Sequence, residues 1–151
     1  MKSAAALEWD DSHLVGHHGM DLSHRQFALC LNAVLAAEDK QLTGALALLL
    51  QHLEVHFAFE EALMEQHAFP ARGCHADEHG RVLASMRQTL TEVQAGDTAV
   101  ARELAQALLD WFVGHADYMD SALATWVAKK TLQGAPVVVR RAMRHTMPVP
   151  H

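Results

Sequence analysis

Residues 45–66 read ALALLLQHLEVHFAFEEALMEQ, and this stretch decides the fold class. Its large apolar side chains recur in steps of three and four, the spacing that places side chains on one face of an α-helix. The residues concerned are Leu46, Leu49, Leu50, Leu53, Phe57 and Leu63. The stretch therefore predicts a helix with one side buried in a helical protein.

The same spacing extends along most of the chain. Apolar residues recur with the helical period in four segments, about 21–38, 41–66, 72–95 and 98–129. Glycine, proline and aspartate separate the segments, and connections this short place successive helices antiparallel. We therefore expect an all-α protein, an antiparallel up-down-up-down four-helix bundle with an N-terminal loop and a C-terminal extension.

The length of 151 residues suits a single domain. We assign residues 1–130 to the bundle and residues 131–151 to a basic tail that is not a separate domain. A weakly strand-like run, Val137-Val138-Val139, falls in that tail. The longest uninterrupted apolar run, residues 45–50, is far shorter than the roughly 20 residues needed to cross a bilayer. Because residues 1–10 also lack the apolar core of a secretory leader, we expect no membrane span and a cytoplasmic location.

Charge is distributed unevenly along the chain. Residues 1–120 carry all 18 acidic residues and seven of the 12 lysines and arginines, whereas residues 121–151 carry five basic residues and no acidic one. An acidic body argues against nucleic-acid binding, because neutralising phosphates needs clustered Lys and Arg. The basic tail could contact an acidic protein partner, a membrane surface or the domain itself.

Histidine is unusually frequent, at 12 of 151 residues, and it is the commonest metal-ligand side chain. Two pairs stand out inside predicted helices, His56-x-x-x-Glu60 and His75-x-x-x-His79. Residues four apart project from one helix face, so each pair can hold one metal cluster. The short loop between the two helices makes them antiparallel neighbours, and both pairs are then directed at the same interhelical space.

The first and last helices add further candidate ligands, namely His24, His115 and Asp120. His115 and Asp120 are five residues apart, and in a regular α-helix their side chains would point about 140° apart. We therefore predict a π-type turn between them, a distortion that brings positions five apart onto one face. All four helices then supply a ligand to a site in the bundle core.

Five imidazoles and two carboxylates exceed the four ligands of a closed zinc site, and no thiolate set accompanies them. This mixed donor set suits two larger-coordination ions and favours iron or manganese. Oxygen-activating di-iron bundles use Glu-x-x-His motifs, which this chain lacks. Fewer anionic donors mean less electron push toward cleaving the O–O bond, so we expect reversible binding of O₂ rather than an enzyme. The remaining histidines we expect to be exposed or beside the site: His13, His17, His18, His52, His67, His145 and His151.

These motifs resemble those of the hemerythrin family. The resemblance covers about residues 9–126 and rests on Trp9, Val15-Gly16, Asp21-x-x-His24, His56-Phe57-x-x-Glu60-Glu61-x-x-Met64, Pro70, His75-x-x-x-His79, Trp111-x-x-x-His115 and Asp120. It implies that one iron is held by His75, His79 and His115, and the other by His24 and His56. It further implies that Glu60 and Asp120 bridge the two irons, with an oxo or hydroxo group as the third bridge.

The resemblance also implies that O₂ binds at the iron held by two histidines and is carried there as hydroperoxide. Such chemistry needs a dry apolar pocket, for which the candidate walls are Phe57, Leu63, Met64, Trp111 and Leu123. Two further functions stay open at this point: a di-iron redox enzyme acting on peroxide or nitric oxide, and an iron-holding or signalling module. The segment Gly16-His17-His18-Gly19 and the long basic tail depart from the family pattern.

Overall fold

The computed structural model describes residues 6–132, so residues 133–151 of the predicted tail, with the strand-like run, lie outside the described residues. Five helices and one π turn follow one another after a short 3₁₀ turn at Asp11–His13. They are α1 (His18–Ala36), α2 (Leu42–Gln66), α3 (Arg72–Gln94), α4 (Thr98–His115), the π turn (Ala116–Asp120) and α5 (Ser121–Thr131). The described part of the chain contains no strand. The predicted all-α bundle is confirmed, with its fourth rod made of α4, the π turn and α5.

The helices pack as a closed square in which sequence neighbours are also spatial neighbours. The α1 helix packs against α2 and α4, and α3 packs against the same two helices. The predicted boundaries differ by at most three residues, the largest difference being at the start of α1. That helix starts at His18 because the side chain of His17 accepts a hydrogen bond from the backbone N–H of Met20 and caps the first turn.

Two apolar clusters fill the bundle. The larger cluster lies along the bundle on one side of the polar site and includes Phe27, Leu31, Leu49, Leu53, Phe57 and Phe112. The smaller cluster closes the other side, where the first residues of α1 meet α5 and the α2–α3 loop, and it contains Val15, Met20, Met64, Phe69, Leu123, Ala124 and Val127. The polar site is therefore enclosed between two dry layers.

The loops at the two ends are fixed by backbone geometry. Gly96 has a φ of 108°, a conformation that side chains disfavour, and it allows the chain to turn from α3 into α4. Asp97 then caps α4 by accepting from the backbone N–H of Val100. At the other end Ala68 has a φ of 51°, which directs the N–H of Phe69 to the carbonyl of Met64 at 2.9 Å. This reversal places the Phe69 ring in the smaller cluster.

The stretch Asp39–Gln66 is long and apolar enough, by length and composition alone, to cross a membrane. Core helices meet the same criterion, and α2 contributes eight buried side chains to this bundle, among them Leu46, Leu53 and Met64. The stretch does not establish a membrane span. However, only 39% of the most apolar part of this stretch is buried, so α2 also carries apolar side chains that do not face the core.

Candidate metal centre

Seven side chains from all four rods of the bundle converge on one buried point. They are His24 from α1, His56 and Glu60 from α2, His75 and His79 from α3, His115 from α4 and Asp120 from the π turn. Each is buried, with at most 6% of its surface exposed. These are the seven metal ligands predicted from the sequence, and the structure brings all of them together.

The π turn explains how two residues five positions apart reach the same centre. Residues Ala116–Asp120 form the π turn, and Nε2 of His115 lies 3.1 Å from Oδ1 of Asp120. The predicted π-type turn is therefore confirmed. Wider helical turns of this kind often occur at functional sites, where they redirect a side chain that regular geometry would place elsewhere.

The donors divide into two groups that share their carboxylates. One group, which we name the three-histidine half, contains the imidazoles of His75, His79 and His115, and the other, the two-histidine half, contains those of His24 and His56; both contain Glu60 and Asp120. Oε1 of Glu60 faces the first group and Oε2 faces the second. Oδ1 and Oδ2 of Asp120 are divided in the same way. Each carboxylate can therefore link two metal ions.

The distances between donors fit a metal-binding site. Metal–donor bonds of about 2.1 Å place neighbouring donors of an octahedral ion about 3 Å apart. The separations here are 2.9 Å for Nε2 of His56 to Oε2 of Glu60, 2.9 Å for Nε2 of His75 to Oδ1 of Asp120, and 3.2 Å for Nε2 of His79 to Oε1 of Glu60. Among the described residues, Nε2 of His75, His79 and His115 and both oxygens of Asp120 are buried without a hydrogen-bond partner. Buried polar atoms usually have a partner, so these atoms are placed for bound ions.

The charges at the centre stabilise one another when no metal is bound. Burial alone would raise the pKa of Glu60, but the imidazoles of His56, His24 and His75 hold it well below its ordinary value. Burial alone would lower the pKa of His24, whereas the adjacent carboxylates of Asp120 and Glu60 raise it to about 10. The same carboxylates overcome burial at His75 and raise its pKa to about 9. Without metal, the imidazoles of His24 and His75 are therefore protonated at neutral pH, at the positions that metal ions would occupy.

Two acidic residues that the sequence analysis did not select as site residues support the three-histidine half. Oε2 of Glu61 lies 3.0 Å from Nδ1 of His79, and Oε1 of Glu78 lies 2.6 Å from Nδ1 of His115. The indole N–H of Trp111 also donates to Glu78, at 3.0 Å. Carboxylates in this position orient a ligating imidazole and direct its other nitrogen at the metal. The position of Glu61 next to Glu60 could have indicated its role. The contact between Glu78 and His115 joins two helices, and sequence spacing does not predict such a contact.

Aromatic rings hold the same imidazoles from the side. The ring of Phe57 stacks on His79 with centroids 3.8 Å apart, and Trp111 stacks on His115 at 4.4 Å. In the two-histidine half, His52 lies parallel to His56 at a longer 5.9 Å. Nε2 of His52 lies 3.0 Å from the carbonyl oxygen of Ser23, so this residue joins α2 to α1 beside the centre rather than extending freely into solvent.

A cavity of about 10 Å³ adjoins the centre, with room for about one water-sized molecule. It is lined by Phe27, Leu53, His56, Phe57, Trp111, Phe112, His115 and Asp120. Phe57 and Trp111 are among the five pocket walls predicted from the sequence. Met64 and Leu123 instead belong to the smaller cluster, and Leu63 packs against that cluster.

The remaining predicted bystanders occupy separate places. His13 stacks between Trp9 and Phe112, with centroids 5.0 Å and 6.5 Å away, and His17 caps α1. His18 is exposed and His67 is half-buried, whereas His145 and His151 lie outside the described residues. Both cysteines, Cys30 and Cys74, are free thiols.

Fold and site together define a class of protein, an all-α bundle that binds metal ions between its four rods through histidine and shared carboxylates. Comparison with known proteins narrows this class. The model of the Hemerythrin HHE cation binding domain matches residues 15–127. The chain belongs to the hemerythrin family, as the motifs indicated.

Individual relatives agree with this assignment. The chain is 38% identical over 124 residues to a protein named Bacteriohemerythrin from Ralstonia nicotianae, covering 82% of this chain and 90% of that protein. It is 28% identical over 127 residues to a Bacteriohemerythrin from Stenotrophomonas maltophilia, covering 82% of each, and 27% identical over 112 residues to a Myohemerythrin from Riftia pachyptila, covering 74% and 86%. The family and the buried cluster identify a non-haem iron, oxygen-binding type of domain rather than an enzyme.

Proposed function

We propose that this protein binds O₂ reversibly at a centre of two iron ions joined by an oxo or hydroxo bridge. In this proposal His75, His79 and His115 hold one ion, His24 and His56 hold the other, and Glu60 and Asp120 bridge them. O₂ binds at the ion with two histidines. The role is storage, delivery or sensing of oxygen.

The observation that carries the proposal is the inequality of the two donor groups. Counting one oxygen from each carboxylate, the three-histidine half offers five donors and the two-histidine half offers four. A six-coordinate ion with five protein donors and one bridge has no position left, whereas the other ion keeps one position for a small ligand. The cavity is lined by His56 of the two-histidine half and by His115 of the three-histidine half, so it lies beside both, and the donor count carries the assignment.

The side chains around that position exclude water. Phe27, Leu53 and Phe112 line the cavity and are each at most 4% exposed. Iron held by these residues would supply the reversible electron transfer that O₂ binding requires. A dry wall favours release as O₂, because water and stray protons would expel reduced oxygen instead and leave the iron oxidised. The chain therefore surrounds the cavity with apolar side chains, and only the residues of the metal centre offer hydrogen bonds to a molecule inside it.

The donor set also favours binding over oxygenation. Five imidazoles and two carboxylates form a site poorer in anionic donors than bundles built from paired Glu-x-x-His motifs. Fewer anionic donors give the ions less tendency to drive cleavage of the O–O bond. A carrier needs this restraint, because cleavage would end the cycle.

The test is an iron assay combined with an optical titration. The iron-loaded protein should contain two irons per chain, and the anaerobically reduced protein should gain a visible absorption band in air and lose it when O₂ is removed. Several cycles should return the same spectrum. One iron per chain, or a band that does not reverse, would contradict the proposal; rapid turnover of hydrogen peroxide or nitric oxide would favour a redox enzyme.

The proposal includes a cytoplasmic location and a protein partner for the basic tail. Two free cysteines suit a reducing compartment, since disulfides form mainly in oxidising ones. Lys129 and Lys130 in the last turn of α5 begin the basic segment that an acidic partner would contact. Cell fractionation, and pull-down with the chain shortened after residue 132, test these two points.

A further inference from the structure

Two rows of uncharged side chains run next to each other on the outside of α1 and α2. The α1 row is Leu22, Gln26, Leu29, Ala33 and Ala36, and the α2 row is Ala45, Leu48, His52, Val55 and Phe59. We name these ten residues the α1–α2 outer face. His52 joins the rows through its contact with Ser23, and Leu29, Ala33, Ala36, Ala45 and Leu48 line one groove of about 560 Å³ between them.

The spacing within each row is that of a helix-packing seam. The residues of both rows are spaced alternately by three and four positions. This is the heptad spacing, which keeps side chains facing a neighbouring helix along its length. Alanines at one end of each row would let another backbone approach closely. Core packing does not explain the rows, because eight of the ten side chains are exposed, including Leu29 and Val55 at 67% and Leu48 at 62%.

The exposed apolar area is large for a surface left in water. Five large side chains, those of Leu22, Leu29, Leu48, Val55 and Phe59, each expose on the order of 100 Å². Their sum of about 500 Å² is near the upper end of the largest patches on monomeric proteins. With the smaller residues of the rows, the area approaches the roughly 800 Å² per partner of a standard protein interface.

Charge identifies the partner. The described residues contain 18 acidic side chains and eight lysines and arginines, yet none of these charges lies in the two rows. A two-fold contact places the same patch of both copies together, so an unmatched charge in either row would be buried twice, once from each copy. An acidic body that avoids charge on one face is therefore suited to meet itself. An anionic membrane would instead favour a face flanked by many basic residues.

We propose that two copies of this chain pair through the α1–α2 outer face, related by a two-fold axis. None of the seven metal donors lies in that face, so the pairing is independent of the function proposed above. Each copy places its α1–α2 hairpin against the other hairpin, which forms a second, intermolecular four-helix layer. His52, whose ring lies against His56, would be covered by the pairing.

The first test is sedimentation equilibrium of the full chain. The wild type should change from monomer to dimer between about 1 and 100 μM. Val55→Glu and Leu29→Glu should each weaken the dimer by at least about 100-fold, because each places one unpaired charge from each copy in an apolar contact. The matched control is Val113→Glu, which places the same charge on α4 at a valine that is 44% exposed. It should dimerise like the wild type.

A second test uses the two native thiols. Cys30 lines the groove of the α1–α2 outer face, and Cys74 is exposed at the start of α3. Raising the protein concentration should slow alkylation of Cys30 by a maleimide and leave the rate at Cys74 unchanged. The Val55→Glu variant should lose this concentration dependence while its helical circular dichroism stays that of the wild type.

Three results would overturn the proposal. The wild type could remain monomeric up to about 100 μM. A dimer could form that Val55→Glu and Leu29→Glu leave intact, in which case another face pairs. The monomer could bind neutral phosphatidylcholine vesicles in a manner that Val55→Glu abolishes, in which case the face contacts lipid.

Discussion

The two halves of the metal centre are held in different ways. In the three-histidine half, Glu61 and Glu78 bind the outer nitrogens of His79 and His115, and aromatic rings stack on both imidazoles at 3.8 and 4.4 Å. In the two-histidine half, Nδ1 of His24 and Nδ1 of His56 have no hydrogen-bond partner among the described residues, whereas in the three-histidine half this holds for His75 alone. His24 meets the edge of Phe112 with centroids 5.3 Å apart instead.

This difference assigns different tasks to the halves. Fixed and electron-rich imidazoles bind a metal tightly, since carboxylates on the outer nitrogen orient the ring and raise its basicity. The less supported half has fewer donors, so an ion held there would be the one that can change its ligands. A centre that binds a small molecule reversibly benefits from one anchored ion and one adaptable ion. Five experiments test this comparison.

The largest effect should follow removal of a carboxylate that serves both halves. Glu60→Gln keeps the side-chain shape but removes the charge that meets the imidazoles of His24, His56, His75 and His79. We expect less than one bound ion per chain and a loss of about 3 kcal/mol in the free energy of unfolding of the metal-free protein. Elemental analysis and chemical denaturation measure the two quantities. Glu61→Gln, one residue further, should still bind two ions; equal losses in both variants would show that Glu60 has no bridging role.

Removing one imidazole from each half should give unequal results. His24→Ala leaves the two-histidine half with three donors, whereas His79→Ala leaves the three-histidine half with four. We expect His24→Ala to bind a single ion and to lose its response to O₂, and His79→Ala to retain two ions at lower affinity. Metal titration followed by the optical test with O₂ distinguishes the variants. Identical stoichiometry in both would refute the asymmetry between the halves.

Removing a supporting carboxylate should have a smaller effect confined to one ion. Glu78→Gln weakens the hydrogen bond to His115 and should reduce the affinity of the three-histidine half by about 10–100-fold. His52→Phe is the matched change beside the other half, since it keeps a ring next to His56, and it should change affinity by less than about tenfold. Competition with a chelator measures both affinities. A larger loss in His52→Phe would mean that the two-histidine half depends on its surroundings as strongly as the other.

Sequence patterns were sufficient for much of this site because its ligands lie at fixed helical spacings. The pairs His56 with Glu60 and His75 with His79 follow from the helical period, and the five-residue step from His115 to Asp120 required a π turn that the structure contains. Periodicity is a local property of the chain. It can therefore place donors on a helix face before any tertiary contact is known.

The residues that support the candidate ligands or line the cavity could not be predicted from spacing, because their roles depend on contacts between helices. Glu78 lies on α3 and serves His115 on α4, and the Phe27 and Phe112 walls come from α1 and α4. Met64 was predicted as a wall of an apolar pocket, and the structure places it in the smaller cluster. Rotation about each helix axis decides such contacts, and sequence spacing alone does not fix it.

The smallest effect should be the response of the metal-free protein to pH. In the folded protein the pKa of His24 is raised to about 10 and that of His75 to about 9, against an ordinary value of 6.5. Folding therefore favours the protonated imidazoles. This stabilisation is fully present below pH 6.5 and is lost as the pH rises through 9 and then 10. Thermal unfolding in the presence of a chelator should show a melting temperature that falls by several degrees over that interval.

The metal-loaded protein should show the opposite trend across neutral pH, because bound ions displace the same protons. Metal affinity then rises with pH, and loading releases protons from both halves. The two-histidine half has four donors against five, so it should load less readily than the three-histidine half as the pH falls. A titration at pH 6 and pH 8 that follows each ion separately would resolve this order. Simultaneous loss of both ions on acidification would mean that the halves compete equally with protons, and the anchored and adaptable roles would then need another cause.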